Sequence, residues 1–482
     1  MRKDWYMVLL LGAVLGCVRR PAVPEPFGAC PDKGQVEWQK QELALFFHFG
    51  PSTFSGLTGE KAANRYDAAE LVALYRPEGL DVEQWVQVAG ETGFKGVVLT
   101  AKHHDGFSLW NAPHSICHVG LCPAPYSQDV VKALSEACRK YGVSMGVYVS
   151  PWDKNDPSFG TETYNGHYTD ALASLLDGTY GPVNEVWFDG NGANRSPYNF
   201  TLFNHTVRSF NPEAVIFSNV GPGCRWVGNE LGIASETNWS TFSPEAHGAA
   251  QGALPGPYEA YLGQGDEGGS AWIPAEADLS IRPIDAPNGW FWDAGQEPKP
   301  ARELMRAYYE TVGRNARMLL NVPPTRQGVL DPRDVRVLAE FKAMRDEVFG
   351  TDLAQGARVK ASSCLDRRRM GPRRLLDGDF DTYYASKTLL PRITLELAGE
   401  KTFNRVLLQE YIPLGQRVKA FRIQVLSDGN WQDWGEGTTV GYKRILQGPA
   451  VTATAVRITI ADALAAPVLS TVSLHLDQVS GL

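Results

Sequence analysis

Residues 81–107 read DVEQWVQVAGETGFKGVVLTAKHHDGF. Asp81 supplies a helix N-cap, and Val82, Trp85, Val86 and Ala89 recur at the spacing of one helix face. Gly93 closes that helix, and the apolar run Gly96 to Thr100 follows as a strand that empties into the polar His103-His104-Asp105. A continuous apolar strand entered from a helix is the unit of a parallel sheet covered on both faces.

The same unit recurs on either side. Leu43 to Phe49 is the first apolar run, and Asp129 opens a second helix with Val130, Val131, Leu134, Ala137 and Cys138 inward, closed by Gly142 before the strand Val143 to Val149. Further runs stand at Glu185 to Phe188, Ala214 to Ser218, Ile233 to Ser235, Leu279 to Arg282 and Met318 to Val322. Together they supply the eight strands that an α/β chain needs for a (β/α)8-like TIM barrel. A doubly wound open sheet is the alternative, but no glycine-rich phosphate loop follows the first strand.

After the helix Pro332 to Glu347 the period changes. Phe421, Ile423 and Val425 alternate with Arg422 and Gln424, and Val456, Ile458 and Ile460 with Arg457 and Thr459, around turns such as Asp428-Gly429-Asn430. Period-two runs of this kind predict an all-β sandwich. At the other end, Arg2 and Lys3 precede an apolar run, Trp5 to Gly16, about half the length that spans a bilayer. It ends in Val14-Leu15-Gly16-Cys17, which resembles a bacterial lipobox and implies lipidation at Cys17. The expected organisation is therefore a lipoprotein signal over 1–17, a proline-rich tether over 18–36, a catalytic barrel over 37–350 and a sandwich over 355–482. Membrane contact is expected only through the lipid anchor, on an exported cell-envelope protein.

Composition narrows the partners. Forty-six Lys and Arg against 54 Asp and Glu leave a net charge of -8, which argues against nucleic acid. Thirteen Trp, 18 Tyr and 20 Phe suit the flat apolar faces of sugars, although most aromatics in any protein are core. Six Cys after Cys17 make no disulfide framework in a chain this long, although Cys117 and Cys122 could close a short loop, and their spacings suggest no zinc site. Nothing sets the oligomeric state.

In a parallel barrel the chemistry sits at the carboxyl ends of the strands. Those ends carry His48, His103-His104-Asp105, Tyr148 with Trp152-Asp153, Asp189, Glu230 downstream of the fifth run, Glu236 after the sixth, Arg282 and Asn321. Taken singly, each His reads as a structural hydrogen-bonding residue, Asp189 as a helix cap and each Trp as core. As a set on one rim they suit a neutral polyol and carboxylate catalysis. The His trio lacks a carboxylate placed to complete a metal site, so no cofactor is expected.

Six segments carry a family likeness in order: Phe47-His48-Phe49-Gly50, Lys102 to Phe107 through Trp110, Tyr148 to Asp153, Trp187-Phe188-Asp189-Gly190, Arg225 to Glu230, and Leu320-Asn321-Val322-Pro323-Pro324. Together they resemble the α-L-fucosidases of glycoside hydrolase family 29 over roughly residues 37 to 350. Gly228-Asn229-Glu230 resembles the branch that acts on α-1,3 and α-1,4-linked fucose of Lewis-type glycans. The resemblance implies fucosylated oligosaccharides as partners and a retaining mechanism, with Asp189 as nucleophile and Glu230, or its rival Glu236, as acid/base. It also implies that His48, His103, His104 and Tyr148 bind fucose hydroxyls, that Trp187 and Trp290 pack on its apolar side, and that Arg282 belongs to the site. Glu60 stands where relatives carry a Glu-Trp pair but is followed by Lys61, and Pro283 to Asn288 reads as an insertion before Gly289-Trp290. Glu276 and Asp278 are candidates to reach the sugar next to fucose. Leu375-Leu376-Asp377-Gly378-Asp379 and Gln409-Glu410-Tyr411-Ile412 resemble a discoidin-like (F5/8 type C) module, whose Asp377, Asp379 and Asp381 are a candidate structural calcium loop.

Overall fold

The computed structural model describes residues 23–189, 196–247, 260–285 and 287–482. Cys17 and the signal segment lie outside these. Eight parallel strands close a barrel: β1 Leu43–Phe47, β2 Gly96–Lys102, β3 Ser144–Val149, β4 Glu185–Trp187, β5 Val215–Ser218, β6 Cys224–Trp226, β7 Ala275–Ser280 and β8 Ala316–Asn321. Each pairs with its sequence neighbours, and β8 returns to β1 through Leu43 beside Met318.

The helices that bear on the site and the core are α1 Lys33–Gln41, α2 Gly59–Arg65, α3 Val82–Glu91, α4 Val130–Tyr141, α5 Thr163–Leu176, α6 Phe200–Phe210, α7 Ala301–Glu310 and α8 Pro332–Phe349, with shorter ones at Pro51–Ser55, Ala68–Leu74 and Ala260–Gln264. As the sequence predicts, Asp81 caps α3 by accepting from the Gln84 amide, and Val82, Trp85, Val86 and Ala89 are buried. Asp129 caps α4, and Gly142 ends it in the left-handed conformation. Burying a Trp or Val side chain contributes about 1.5–3 kcal/mol each, so the apolar faces, more than the caps, hold these helices on the sheet. Trp85 also keeps its indole satisfied by donating to the Gly328 carbonyl at 2.9 Å.

Two expectations fail here. The sixth strand is Cys224–Trp226, and the run Ile233 to Ser235 is a loop with Ile233 partly exposed. Only Asn219 to Gly223 link β5 to β6, with no helix between them, and a Cβ on Gly223 would lie 2.3 Å from the Ile216 amide nitrogen. That chain reversal is too tight for any side chain. The expected tether is also shorter. Asp32 and Gln35 form a capping box that starts α1, the Phe27 amide donates to the Leu414 carbonyl, and Arg417 donates to the Glu25 carbonyl.

The base of the barrel is polar. Arg317 reaches Glu185 at 2.6 Å and Glu276 at 2.5 Å, and its guanidinium stacks 4.9 Å from the Trp38 ring of α1. Burial pushes the Glu276 carboxyl well up, reinforced by the charge of Glu185.

After α8 come β9 Arg358–Ala361, β10 Tyr384–Ala385, β11 Arg392–Glu410, β12 Val418–Ser427, β13 Asn430–Gly437, β14 Arg444–Ala463 and β15 Val468–His475, all antiparallel. Phe421, Ile423 and Val425 are buried and Arg422 is exposed, as the alternation predicts. The two domains interlock. Leu407 and Ile445 of the second domain belong to the apolar cluster of the barrel. Asn315 donates to the Asn238 carbonyl and accepts from the Tyr442 amide, and Gln416 accepts from the Ser240 amide. Six cysteines, Cys117 and Cys122 included, are free thiols.

Candidate active site

The strand tips surround a cavity of about 560 Å³, within the range of roughly 300–1,000 Å³ usual for small-molecule sites. Strand period fixes who faces it. On β1, Phe46 points inward and His48 follows at the same parity, and on β7 Glu276 and Asp278 share the inward face one layer apart. Of the residues singled out from the sequence, His48, Glu60, His103, His104, Tyr148, Trp187, Asp189, Glu230, Asp278 and Trp290 all line the cavity.

The hydrogen-bond pattern sets one tautomer. Asn321 donates through Nδ2 to the Trp290 carbonyl at 2.8 Å, which turns its Oδ1 toward His48 Nδ1 at 2.9 Å. His48 Nδ1 therefore carries the proton and Nε2 is left as an acceptor. Burial lowers the His48 pKa to about 3 and takes His103 well below its usual value. Both rings are neutral, so each offers one donor and one acceptor nitrogen. The His103 ring stacks on Tyr148 with centroids 5.4 Å apart, and Trp187 stacks on Phe217 at 3.4 Å.

Two carboxylates differ in environment. Asp189 accepts from the Tyr148 hydroxyl at 2.7 Å and lies 3.5 Å from His104 Nε2. Glu230 is exposed at the rim, yet the partial enclosure of its carboxyl raises its pKa, helped by the charge of Asp189 and opposed by a hydrogen bond from Trp290. Asp278 is pushed well up by burial and by Glu230, and accepts from Trp226 Nε1 at 2.6 Å. A carboxyl whose proton affinity is raised, beside a second carboxylate held by a hydroxyl, is an arrangement suited to general acid chemistry.

Three expected site residues lie elsewhere. Glu236 is outside the cavity, because its segment is a loop rather than a strand end, and it pairs with Arg314 and Arg444. Arg282 lies two residues beyond the end of β7 and turns under the Trp290 loop. There it pairs with Asp331 and Asp334 at 2.9 Å each and donates to the Asp293 carbonyl. Glu276 is sealed in the barrel, accepting from Trp187 Nε1 at 2.7 Å and pairing with Arg317, so it cannot reach a second sugar. The Asp377, Asp379 and Asp381 carboxylates are spent separately: Asp377 on Thr382, Asp379 on the Asp381 amide and Asp381 on Lys40.

Phe46, Gly59, Phe217, Trp226 and Ile284 also line the cavity and escaped the sequence reading. Phe46 and Phe217 sit inside apolar runs, where only strand parity separates lumen from core. Beneath the His pair, Lys102 pairs with Asp153 at 3.0 Å, and burial raises the Asp105 pKa to about 7.

The rim of the barrel thus joins neutral imidazole rings, an apolar wall and two carboxylates in unlike surroundings. The alpha-L-fucosidase family model matches residues 32–344, and the F5/8 type C domain model matches residues 358–470. Alpha-L-fucosidase 1 of Arabidopsis thaliana is 36% identical over 471 residues, covering 95% of this chain and 90% of its own. The crystal structure of SpGH29 superposes with a TM-score of 0.85 at 36% identity, over 94% of this chain and 99% of that one. A Ruminococcus gnavus GH29 fucosidase solved in complex with fucose gives 0.84 at 30% identity, over 96% and 97%. The chain belongs to the alpha-L-fucosidase family, and its second domain is the discoidin-like F5/8 type C fold.

Proposed function

We propose that this alpha-L-fucosidase is a retaining exo-enzyme that removes terminal α-1,3 or α-1,4-linked L-fucose from branched, Lewis-type oligosaccharides. Asp189 is the nucleophile and Glu230 the acid/base. The observation that carries the reading is that Asp189 and Glu230 open on one cavity, with the proton affinity of Glu230 raised by burial and by Asp189. In the first step an Asp189 oxygen bonds to the anomeric carbon, the glycosidic C–O bond breaks and the Glu230 proton passes to the departing oxygen. In the second, Glu230 takes a proton from water, the water oxygen bonds to the anomeric carbon and the Asp189 ester is released. Carboxyl pairs in such enzymes stand about 5–5.5 Å apart.

The Tyr148 hydroxyl on Asp189 orients the attacking carboxylate. The neutral His48 and His103 exchange hydrogen bonds with sugar hydroxyls, and Phe46, Trp187 and Phe217 offer the C6 methyl a surface without donors. We assign the chain to the cell envelope, anchored through a lipid on Cys17, on the lipobox-like segment alone. Mild base that strips ester-linked acyl chains should release the protein from membranes.

Asp189→Asn is expected to abolish turnover while leaving fucose binding intact, and unchanged hydrolysis would sink the assignment. Glu230→Ala should recover activity with azide on an activated aryl fucoside. Rescue of a Glu236 variant instead would transfer the role. Release of fucose from Lewis a and Lewis x, against 2'-fucosyllactose, decides the linkage.

A further inference from the structure

Glu230 stands near the start of a loop, residues 227–238, that leaves the barrel rim and runs to the second domain. Its first half is anchored on the barrel. The Val227 amide donates to the Glu276 carbonyl at 3.1 Å, Leu231 bridges Leu279, and a Cβ on Gly232 would press on Leu279 at 3.1 Å. Asn229 closes the turn around Glu230, accepting from the Leu231 amide at 3.1 Å and donating to the Ile233 carbonyl at 2.8 Å. Beyond this turn apolar anchorage weakens, for Leu231 is 68% exposed and Ile233 39%.

Polar contacts hold the far half, and several come from the other domain. Arg444 of β14 donates through Nη1 to the Glu236 carbonyl at 2.7 Å and through Nη2 to the Glu236 carboxylate. Thr438 donates to the same carbonyl at 3.0 Å, and Thr439 accepts from the Asn238 amide at 2.8 Å. From the barrel side, Arg314 pairs with the Glu236 carboxylate at 2.7 Å and donates to the Ala234 carbonyl at 2.9 Å. Arg444 is itself buried, and the Ile445 amide beside it donates to the Gly313 carbonyl. A planar guanidinium that grips a carbonyl and a carboxylate of one residue fixes direction as well as distance, which an ammonium does not.

We infer that Arg444 of the discoidin-like domain is a positioning residue for Glu230, holding through Glu236 the loop that presents the acid/base to the leaving group. This rests on Glu230 as acid/base. It gives the second domain a part in the reaction although none of its residues lines the cavity.

The test compares two leaving groups on the full-length protein. A sugar leaving group needs its oxygen protonated, whereas a nitrophenolate departs without help, so misplacement of Glu230 penalises kcat/KM, which reports formation of the glycosyl-enzyme and not its hydrolysis, only for the former. Arg444→Met should lower kcat/KM on Lewis a trisaccharide about ten- to a hundredfold while changing kcat/KM on the nitrophenyl fucoside by no more than about threefold. Inhibition by free fucose should stay at the wild-type level. Arg444→Lys should fail to restore the lost activity.

Equal losses on both substrates, or no loss on either, would overturn the inference. Glu236→Gln and Thr438→Val, which leave Arg444 in place, should shift the same substrate ratio to a smaller extent and serve if Arg444→Met does not fold; an unshifted ratio in both also overturns it. Glu230→Ala run alongside separates the two readings. If that variant keeps its action on Lewis a, the assignment of Glu230 has failed. If it is inactive there while Arg444→Met behaves as wild type, only the positioning role has failed.

Discussion

Gly59 opens α2 at the edge of the cavity with Thr58 as its cap. A methyl group there would sit 1.9 Å from His103 Nδ1 and 2.4 Å from Cε1, which is about 1.5 Å inside the 3.4 Å of ordinary contact. The His103 ring has little room to yield. It is stacked on Tyr148 and edged by Phe291 and His48 with centroids 5.1 and 5.5 Å away, and its Nδ1 has no hydrogen-bond partner among the described residues that could guide it to a new seat. A misplacement of about 1 Å in a substrate-positioning group costs on the order of a hundredfold in rate. Gly59→Ala should therefore lower kcat/KM on aryl fucoside about a hundredfold and weaken inhibition by fucose. Thermal stability should change little, because alanine favours the helix by up to about 1 kcal/mol and offsets part of the crowding. The decisive assay is the double variant. With His103→Ala already in place there is no ring to displace, so adding Gly59→Ala should cost almost nothing further. A penalty that persists undiminished in that background, or a Gly59→Ala enzyme within twofold of wild type, would refute the steric reasoning.

Arg282→Met should lower stability by about 3–5 kcal/mol, read as a fall in melting temperature, because it leaves the buried Asp334 without its partner; Arg282→Lys should not restore it, since the guanidinium spans both Asp331 and Asp334. Glu276→Ala should destabilise by a similar amount, about 3–5 kcal/mol by melting, because it strips Arg317 of one partner and Trp187 of its acceptor. It should leave the ratio of Lewis a to aryl fucoside hydrolysis unchanged, and a changed ratio would return Glu276 to the substrate. In the pH profile, activity falls as Glu230 loses its proton, at a pH above the ordinary glutamate value. Trp290→Phe keeps a ring and removes the hydrogen bond that favours the ionised form, so this limb should move to higher pH; a shift downward would contradict the assignment.

Where the sequence was legible, one physical signal had little competition. The faces of α3 and α4, with an Asp at one end and Gly at the other, could be read to the residue because amphipathic period and capping agree. The first five strands followed in the same way. β6 was missed because three residues between a Gly-Pro-Gly turn and a polar loop carry no period, while Ile233 to Ser235 carries an apolar residue without burial. That one displacement also explains Glu236, placed at a strand end that does not exist. Arg282 shows a different limit. Its position after an apolar run was correct, but whether a residue past a strand tip turns into the lumen or under a loop depends on Asp331 and Asp334, some fifty residues away. His48, Tyr148 and Asp189 were within reach because parity at a strand tip leaves them no other direction, whereas His103 shares the parity of the outward Leu99 and Ala101 and reaches the cavity only after the register shift between Thr100 and Lys102.

Leu407 and Ile445 pack into the apolar cluster of the barrel, and Asn315 spans both sides of the join. The short link between α8 and β9 therefore marks a seam in the chain but not in the packing. A recombination event there would hand each descendant gene half of a shared core. Exchange of the module between relatives should succeed only when Gln416, Thr439, Tyr442 and Ile445 travel with matching partners on the barrel. The two domains are then a single heritable unit, and the substitutions that fix the acid/base loop should drift together across the join.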